Sequence, residues 1–348
     1  MKTKKIIRGL ILMVVLILVV FCIIYWEIIC YLSVQVKGQL SLIINTVRVE
    51  KVLNDRNYPD SLKQKLILLE EIRQYAFDSL GLTRSDNYTT YYEQHGKPIL
   101  WIVTASYPYE LKPYEWTFPI AGKFSYKGFF RYEDALAEEK KLKEQGFDTS
   151  VDEVSAWSTL GFLKDPVLSS MLTREPGSLA NLIIHELTHG TLYVKDNVDY
   201  NENLASFVGD VGAKKFMAFK YGLASREYER YEKSMQLNRQ YSEVALRCAD
   251  RLDSLYKTFT ENTSMEEKHR LKSKLMKECS DTLYAYAEEV RRIFPKFYVD
   301  TAKLNNAYFI DFRRYRAQQN IFEEEFKNRF NSDFKKYIQY LKQTYPSL

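Results

Sequence analysis

Residues 182–206 read LIIHELTHGTLYVKDNVDYNENLAS and carry two histidines, His185 and His189, four positions apart. In a helix these positions lie on one face, so both imidazoles can face a single zinc ion. The surrounding residues make this helix apolar nearly all round, which is typical of a buried helix: they are Leu182, Ile183, Ile184, Leu187 and Leu192. Histidines in such a helix are costly unless paired or metal-bound. The segment therefore predicts a buried metal helix, with a pair of hydrogen-bonded core histidines as the alternative.

Glu186 follows the first histidine, and its carboxylate can take a proton from a water that attacks a carbonyl, so we expect it to be a general base. A third metal ligand must come from elsewhere, and the candidates are Glu202, Asp199, Asp210, His95 and His269. Glu202 is favoured because it starts a second helix after a short loop. The alternative is a capping box with Asp199, in which Glu202 only holds a backbone N–H.

Small side chains after Glu202 would allow the second helix to approach the first closely: Ala205, Ser206 and Gly209. Ser206 and Asp210 lie one and two turns after Glu202 on the same face. Either side chain could accept a hydrogen bond from a ligand histidine.

The N-terminus predicts a membrane anchor. Basic residues (Lys2, Lys4, Lys5 and Arg8) precede an uncharged apolar run over residues 9–26. This run can cross a hydrocarbon layer of roughly 30 Å at 1.5 Å per helical residue. No small-x-small cleavage site follows it, which favours a retained anchor over a signal peptide. Bulky Ile28 and Ile29 before Cys30 disfavour a lipoprotein. By the positive-inside rule, we expect a single-pass protein of the cell membrane with its N-terminus inside and the remainder extracytoplasmic.

Composition excludes some classes of protein. The chain has 348 residues, 46% hydrophobic and 27% charged, an ordinary globular balance. Its net charge of +5 is spread along the sequence without a basic stripe, so nucleic acid is not an expected partner. The four cysteines contain no Cys-x-x-Cys pair, which argues against a cysteine zinc site. Cys248 and Cys279 fall at similar heights on a predicted antiparallel helix pair, so they are either a disulfide or two free core thiols.

The chain is predicted to be α+β and mostly helical, with an N-terminal transmembrane helix, a small sheet next to a zincin-type metal helix, and a long C-terminal helical region. We expect an anchor at 1–30 and one domain at 31–348. The domain would contain a helix and small sheet (31–175), the metal-site helices (176–222) and a helical region (223–348). Its predicted elements begin with a mostly helical stretch over 31–80 that breaks at Pro59. They continue with strands at 99–105, 116–120, 122–126 and 147–157, a crossover helix at 133–144, and helices at 224–259, 266–294 and 301–348.

Several stretches resemble a known family. Asn201-Glu202-x-x-Ala205 after the histidine motif is similar to the gluzincin pattern, in which a downstream glutamate is a zinc ligand. More closely, residues 31–315 resemble a bacterial family of membrane-associated aminopeptidases, described as zinc peptidases. The matching stretches, in order, are residues 35–40, 128–130, 156–161, 165–168, 184–189, 201–205 and 304–307. Family members often begin with a lipoprotein signal, from which this chain departs.

The resemblance implies a zinc-dependent peptidase with one zinc ion, a peptide substrate, and metal ligands His185, His189 and Glu202. As in zincins, residues 154–160 would be the edge strand that binds an extended substrate, with plain sheet core as the alternative. Tyr315 and Tyr126 are candidate donors to the oxyanion, with a purely structural role as the alternative for each of them. The competing hypothesis is a membrane-tethered binding or assembly protein on a peptidase-like scaffold without turnover. The sequence names neither the residue that binds the substrate amine nor the oligomeric state.

Overall fold

The structure is a computed structural model that describes residues 2–118, 122–154, 156, 164–295, 297, 299–300 and 303–345. The described chain is mostly helical with small sheets, as predicted. Its helices are α1 (Lys2–Ile24), α2 (Trp26–Ile44), α3 (Val49–Asn54), α4 (Asp60–Tyr75), α5 (Tyr132–Glu144), α6 (Pro176–His189), α7 (Val198–Tyr221), α8 (Arg226–Lys257), α9 (Met265–Ile293), α10 (Asn306–Arg316), α11 (Gln319–Phe330) and α12 (Phe334–Thr344). A π-helical turn (Ala76–Leu80) and a 3-10 turn (Ser169–Thr173) complete them.

The strands are short. They are β1 (Val47–Arg48), β2 (Thr90–Tyr92), β3 (Trp101–Ser106), β4 (Trp116–Phe118), β5 (Gly122–Phe124), β6 (Tyr126–Phe129), β7 (Asp148–Glu153) and β8 (Val167–Leu168). In the central sheet, β3 lies between β6 and β7 and is antiparallel to both. The predicted crossover helix is confirmed, because α5 connects β6 to β7 and the chain turns after it at Gly146, whose φ is +87°. A second sheet has the order β1-β2-β8, and β4 pairs with β5.

The first two helices are each long and apolar enough to cross a membrane, by length and composition alone. A signal sequence would meet the same criterion for the first of them. The prediction that residues 31–80 are mostly helical with a break at Pro59 is confirmed, since α3 ends at Asn54 and α4 begins at Asp60. A further interruption was not predicted: α2 ends at Ile44 and β1 follows. One face of α2 is joined to β6, since Tyr31 Oη and Gln35 Nε2 donate to the carbonyl oxygen of Gly128 at 2.9 and 3.0 Å.

The described residues form three hydrophobic cores. The largest packs α6 and α7 against α4, α11 and α12 and encloses the predicted metal helix. A second core lies between α8, α9 and α10, where Cys248 and Cys279 form a disulfide with a Cα–Cα distance of 5.8 Å. A third core fills the space between the central sheet and α5. The predicted helix over 301–348 is three helices, α10 to α12.

Candidate metal centre

The two predicted histidine ligands lie in the last two turns of α6. This helix starts at Pro176, whose fixed φ suits the first helical position, and buries most of its apolar side chains. The second helix, α7, begins after Asn197, whose side chain accepts a hydrogen bond from the backbone N–H of Tyr200. Asn197 is therefore the cap of α7. The carboxylate of Glu202 points to the histidines instead of closing a capping box.

The three predicted ligand atoms lie close together. Nε2 of His185 and Nε2 of His189 are each 3.3 Å from Oε2 of Glu202, and the two Nε2 atoms are 3.2 Å apart. Zinc ligands bound at about 2.0–2.1 Å in a tetrahedral arrangement lie about 3.3 Å from one another. Two imidazole nitrogens and one carboxylate oxygen are also a donor set that zinc accepts while keeping a fourth position open. The side chains thus fit a zinc ion in both spacing and chemistry.

The electrostatics of these residues follow from their mutual contacts. Burial favours the neutral form of Glu202, but hydrogen bonds from His185 and His189 outweigh it and hold the pKa of the carboxyl well below its usual range. Burial likewise lowers the pKa of His189, and the hydrogen bond and charge of Glu202 reverse this, so that the pKa is raised. Glu202 is therefore an anion at neutral pH, the form that binds a metal ion.

Close packing of α6 on α7 brings Glu202 to the histidines. A Cβ atom added to Gly209 would lie 3.0 Å from the backbone oxygen of Asn181 and 3.2 Å from Cβ of His185. This bears out the expected close approach at the small residues that follow Glu202. Asp210 does not act as the expected acceptor for a ligand histidine. Its carboxylate accepts hydrogen bonds from Asn181, at 2.7 Å, and from Arg316.

The other ligand candidates lie elsewhere. His95 and His269 are exposed, and Asp199 is an exposed carboxylate 3.6 Å from the guanidinium of Arg314. Among the residues that the structure describes, the group that could hold a metal ion consists of His185, His189 and Glu202.

Glu186 has a neighbour that the sequence did not reveal. Tyr88 is fully buried, and its φ of +63° is unusual for an aromatic residue. Burial and the nearby charge of Glu186 raise the pKa of its hydroxyl. That hydroxyl makes no hydrogen bond to any part of the chain that the structure describes. No local sequence signal identifies such a residue, since its position depends on tertiary packing.

Tyrosines surround the three ligands. The ring of Tyr315 stacks on that of His185 with centroids 6.3 Å apart, and the ring of Tyr193 lies 6.0 Å from that of His189. Burial and the charge of Glu202 raise the pKa values of Tyr315 and Tyr126, so both hydroxyls remain protonated at neutral pH. Both predicted donor candidates are thus beside the site. The predicted edge strand at 154–160 lies largely outside the described residues, and Val154 follows the end of β7.

A buried asparagine holds Tyr315 in place. Nδ2 of Asn203 donates to the backbone oxygens of Asp199 and Arg314, and its Oδ1 accepts from the backbone N–H of Gln318 at 2.9 Å. Asn203 thereby joins α7, next to Glu202, to the junction of α10 and α11. Its neighbours one turn away on α7 mix polar and apolar side chains, so no local pattern in the sequence marks Asn203.

Comparison with known proteins gives a family for the chain. A search of curated proteins and a search of solved structures each found no match. A family model described as "Putative aminopeptidase" matches residues 30–345, which is nearly all of the chain after the first apolar helix. This match includes the candidate metal centre, the central sheet and the C-terminal helices. The chain therefore belongs to the family described as "Putative aminopeptidase".

Proposed function

We propose that the protein is a zinc-dependent aminopeptidase in which His185, His189 and Glu202 bind one zinc ion. The family indicates a peptidase that acts on peptides. The observation that carries the zinc proposal is the mutual spacing of 3.2–3.3 Å between the three ligand atoms. If the histidines were only hydrogen-bonded core residues, or if Glu202 were only a helix cap, the two Nε2 atoms and Oε2 of Glu202 would have no need to lie at one point.

The side chains around the site have distinct roles in the proposed reaction. A zinc ion would supply a Lewis acid that polarises the peptide carbonyl and lowers the pKa of water. Glu186 accepts the proton of the attacking water and delivers it to the leaving amine. Tyr315 remains protonated because its pKa is raised, so its hydroxyl can donate a hydrogen bond to the developing oxyanion.

The test is a metal analysis of the purified full-length chain, combined with peptide cleavage by Glu186→Gln. Wild type and Glu186→Gln are expected to hold one zinc per chain, and loss of the base is expected to lower turnover about 10²–10⁴-fold. Glu175→Gln is the matched control, since Glu175 is an exposed carboxylate preceding the same helix. Glu202→Gln is expected to weaken zinc binding.

The outcomes separate the alternatives. Wild-type protein without zinc after purification free of chelators would contradict the metal centre. Zinc with no turnover on any peptide would favour a binding or assembly protein on this scaffold.

We also propose that α1 is a single membrane anchor with residues 31–348 as one extracytoplasmic domain. The basic N-terminus supports this orientation, and the disulfide supports an oxidising compartment. The hydrogen bonds from α2 to β6 support α2 as part of the domain rather than a second span. Protease added to intact cells should remove the domain, whereas protection until lysis would contradict this topology.

A further inference from the structure

A cavity of about 700 Å³ opens beside the metal centre. Tyr315 lines this cavity, and its ring also stacks on His185, so the cavity and the ligand group share one wall. Asp311 lies one helical turn before Tyr315 on the same face of α10 and lines the cavity as well. We call this space the acidic cavity, after Asp311 and its neighbour across the space, Asp152 of β7.

The acidic cavity is held in shape by contacts between β7 and the start of α10. Nδ2 of Asn305 donates to the backbone oxygen of Thr149 at 2.8 Å, and the backbone N–H of Asn306 donates to Asp148 at 3.0 Å. These contacts fix the strand that carries Asp152 against the helix that carries Asp311. They also give a structural role to Asn305 and Asn306, which have no role in the proposed reaction.

Its charges favour a cationic guest. Asp152, Asp300 and Asp311 line the cavity, against Lys303 and Arg316. Arg316 forms an ion pair with Asp210, and Asp311 accepts a hydrogen bond from Arg314 at 2.8 Å. Burial is the largest influence on Asp311 and, with the negative charges of Asp152, Asp199 and Glu202, raises its pKa to about 6, although Arg314 acts in the opposite direction. A positive group placed there would relieve this repulsion.

Aromatic side chains form the remaining wall. The ring of Tyr241 lies 5.7 Å from that of Phe312 and 5.5 Å from that of Phe297. Such a wall accepts the apolar stem of a side chain, and ring faces also attract cations. Carboxylates and rings together fit an ammonium or guanidinium group carried on a hydrocarbon.

We propose that the acidic cavity is the subsite for a positively charged group of the substrate, with Asp311 and Asp152 as its counter-charges. This inference rests on the proposed peptidase function. The group is either the α-ammonium of a peptide N-terminus or the side chain of a lysine or arginine. Asp311 and Asp152 then determine substrate specificity, while zinc and Glu186 perform the chemistry.

The experiment measures binding rather than turnover, so it does not depend on cleavage being detected. The zinc-loaded full-length Glu186→Gln protein in detergent is titrated calorimetrically with four ligands. These are leucinamide, N-acetyl-lysinamide, lysinamide and N-acetyl-leucinamide, which carry the α-ammonium, the side-chain ammonium, both, or neither. The titrations are repeated with Asp311→Asn or Asp152→Asn introduced into the Glu186→Gln protein. Asp281→Asn is the matched control, because it removes the same charge from an exposed position on α9.

The parent protein is expected to bind the charged ligands more tightly than N-acetyl-leucinamide. Asp311→Asn and Asp152→Asn should each weaken this binding at least about tenfold, as loss of a charged hydrogen-bond partner implies, while Asp281→Asn does not. An effect on leucinamide identifies the α-ammonium as the guest. An effect on N-acetyl-lysinamide and lysinamide, with leucinamide unaffected, identifies the side chain.

Two results would overturn the proposal. One is a parent that does not distinguish charged from uncharged ligands. The other is that Asp311→Asn and Asp152→Asn bind the charged ligands as tightly as the control Asp281→Asn does. Circular dichroism must show that all three variants are folded. Absence of zinc or of turnover in the earlier test contradicts the proposed function separately.

Discussion

Gly209→Ala tests whether the metal centre depends on the close contact of α6 and α7. The new methyl would lie 3.0 Å from the backbone oxygen of Asn181 and 3.2 Å from Cβ of His185. Neither neighbour is the flexible end of a side chain, so α7 must move away from α6. Overpacking of this kind costs about 1–3 kcal/mol. Replacing a helical glycine by alanine returns about 1 kcal/mol, which leaves a net destabilisation of about 0–2 kcal/mol.

The same displacement should weaken zinc binding more than it weakens the fold. Glu202 lies two turns from Gly209 on α7, and His185 is in direct contact with the added methyl. A shift between the helices therefore separates the carboxylate from the imidazoles. Disturbing the residues that support metal ligands typically lowers metal affinity about 10–100-fold. We expect a decrease in that range, measured by competition with a zinc chelator.

Gly190→Ala is the matched control, because it makes the same change directly after His189. A methyl at Gly190 meets Leu187 O at 3.7 Å and Asn87 Nδ2 at 4.0 Å, which are ordinary contacts, and its φ of −70° suits alanine. It should leave zinc affinity unchanged and stabilise the fold by about 0.4–1 kcal/mol. Thermal unfolding and zinc competition are measured on both variants. Equal zinc affinity in the two would refute the reasoning.

Three further predictions concern the disulfide, Asp311 and Tyr315. Cys248→Ser should lower the free energy of unfolding by about 3–4 kcal/mol for a crosslink spanning 31 residues, and reduction of the wild type should match it in urea. The pKa of Asp311 is raised to about 6, so the folded state holds this proton more tightly than the unfolded state and stability falls as the pH rises from about 4 through 6. With 31% of the side chain exposed, we expect this loss of stability to be about 1 kcal/mol and to vanish in Asp311→Asn. If the free energy of unfolding in urea depends on pH in the same way in the wild type and in Asp311→Asn, this reasoning is contradicted. Tyr315→Phe should retain zinc and lower turnover about 10²–10³-fold, and unchanged turnover removes Tyr315 from the mechanism.

The convergence of His185, His189 and Glu202 from α6 and α7 could be predicted because its signals are local. Two histidines four residues apart define a helix face, and Glu202 follows within one loop. The crossover helix between two strands was likewise predictable from a charged helical segment that ends at a glycine. These features depend on spacing along the chain, which the sequence displays directly.

Other features could not be predicted because they depend on contacts between distant segments. Tyr88 reaches Glu186 only after the chain has folded in a left-handed backbone conformation. Asp311 is one of many acidic residues until α10 lies on β7 and α8. The end of α2 at Ile44 could not be predicted either, because apolar residues continue at helical spacing beyond it. The helix ends there because the following residues form β1, which pairs with the distant β2.

Asn203 has a consequence for the order in which the protein is made. The proposed ligands His185, His189 and Glu202 leave the ribosome more than a hundred residues before Tyr315. The Oδ1 atom of Asn203 accepts from the backbone N–H of Gln318, so it stays unpaired on the unfinished chain, where Nδ2 keeps only its hydrogen bond to the backbone oxygen of Asp199 within α7. A buried polar group without partners opposes packing. The nascent chain can therefore bring His185, His189 and Glu202 together early, but α7, which carries Glu202, becomes fully anchored only when the C-terminal helices have been synthesised.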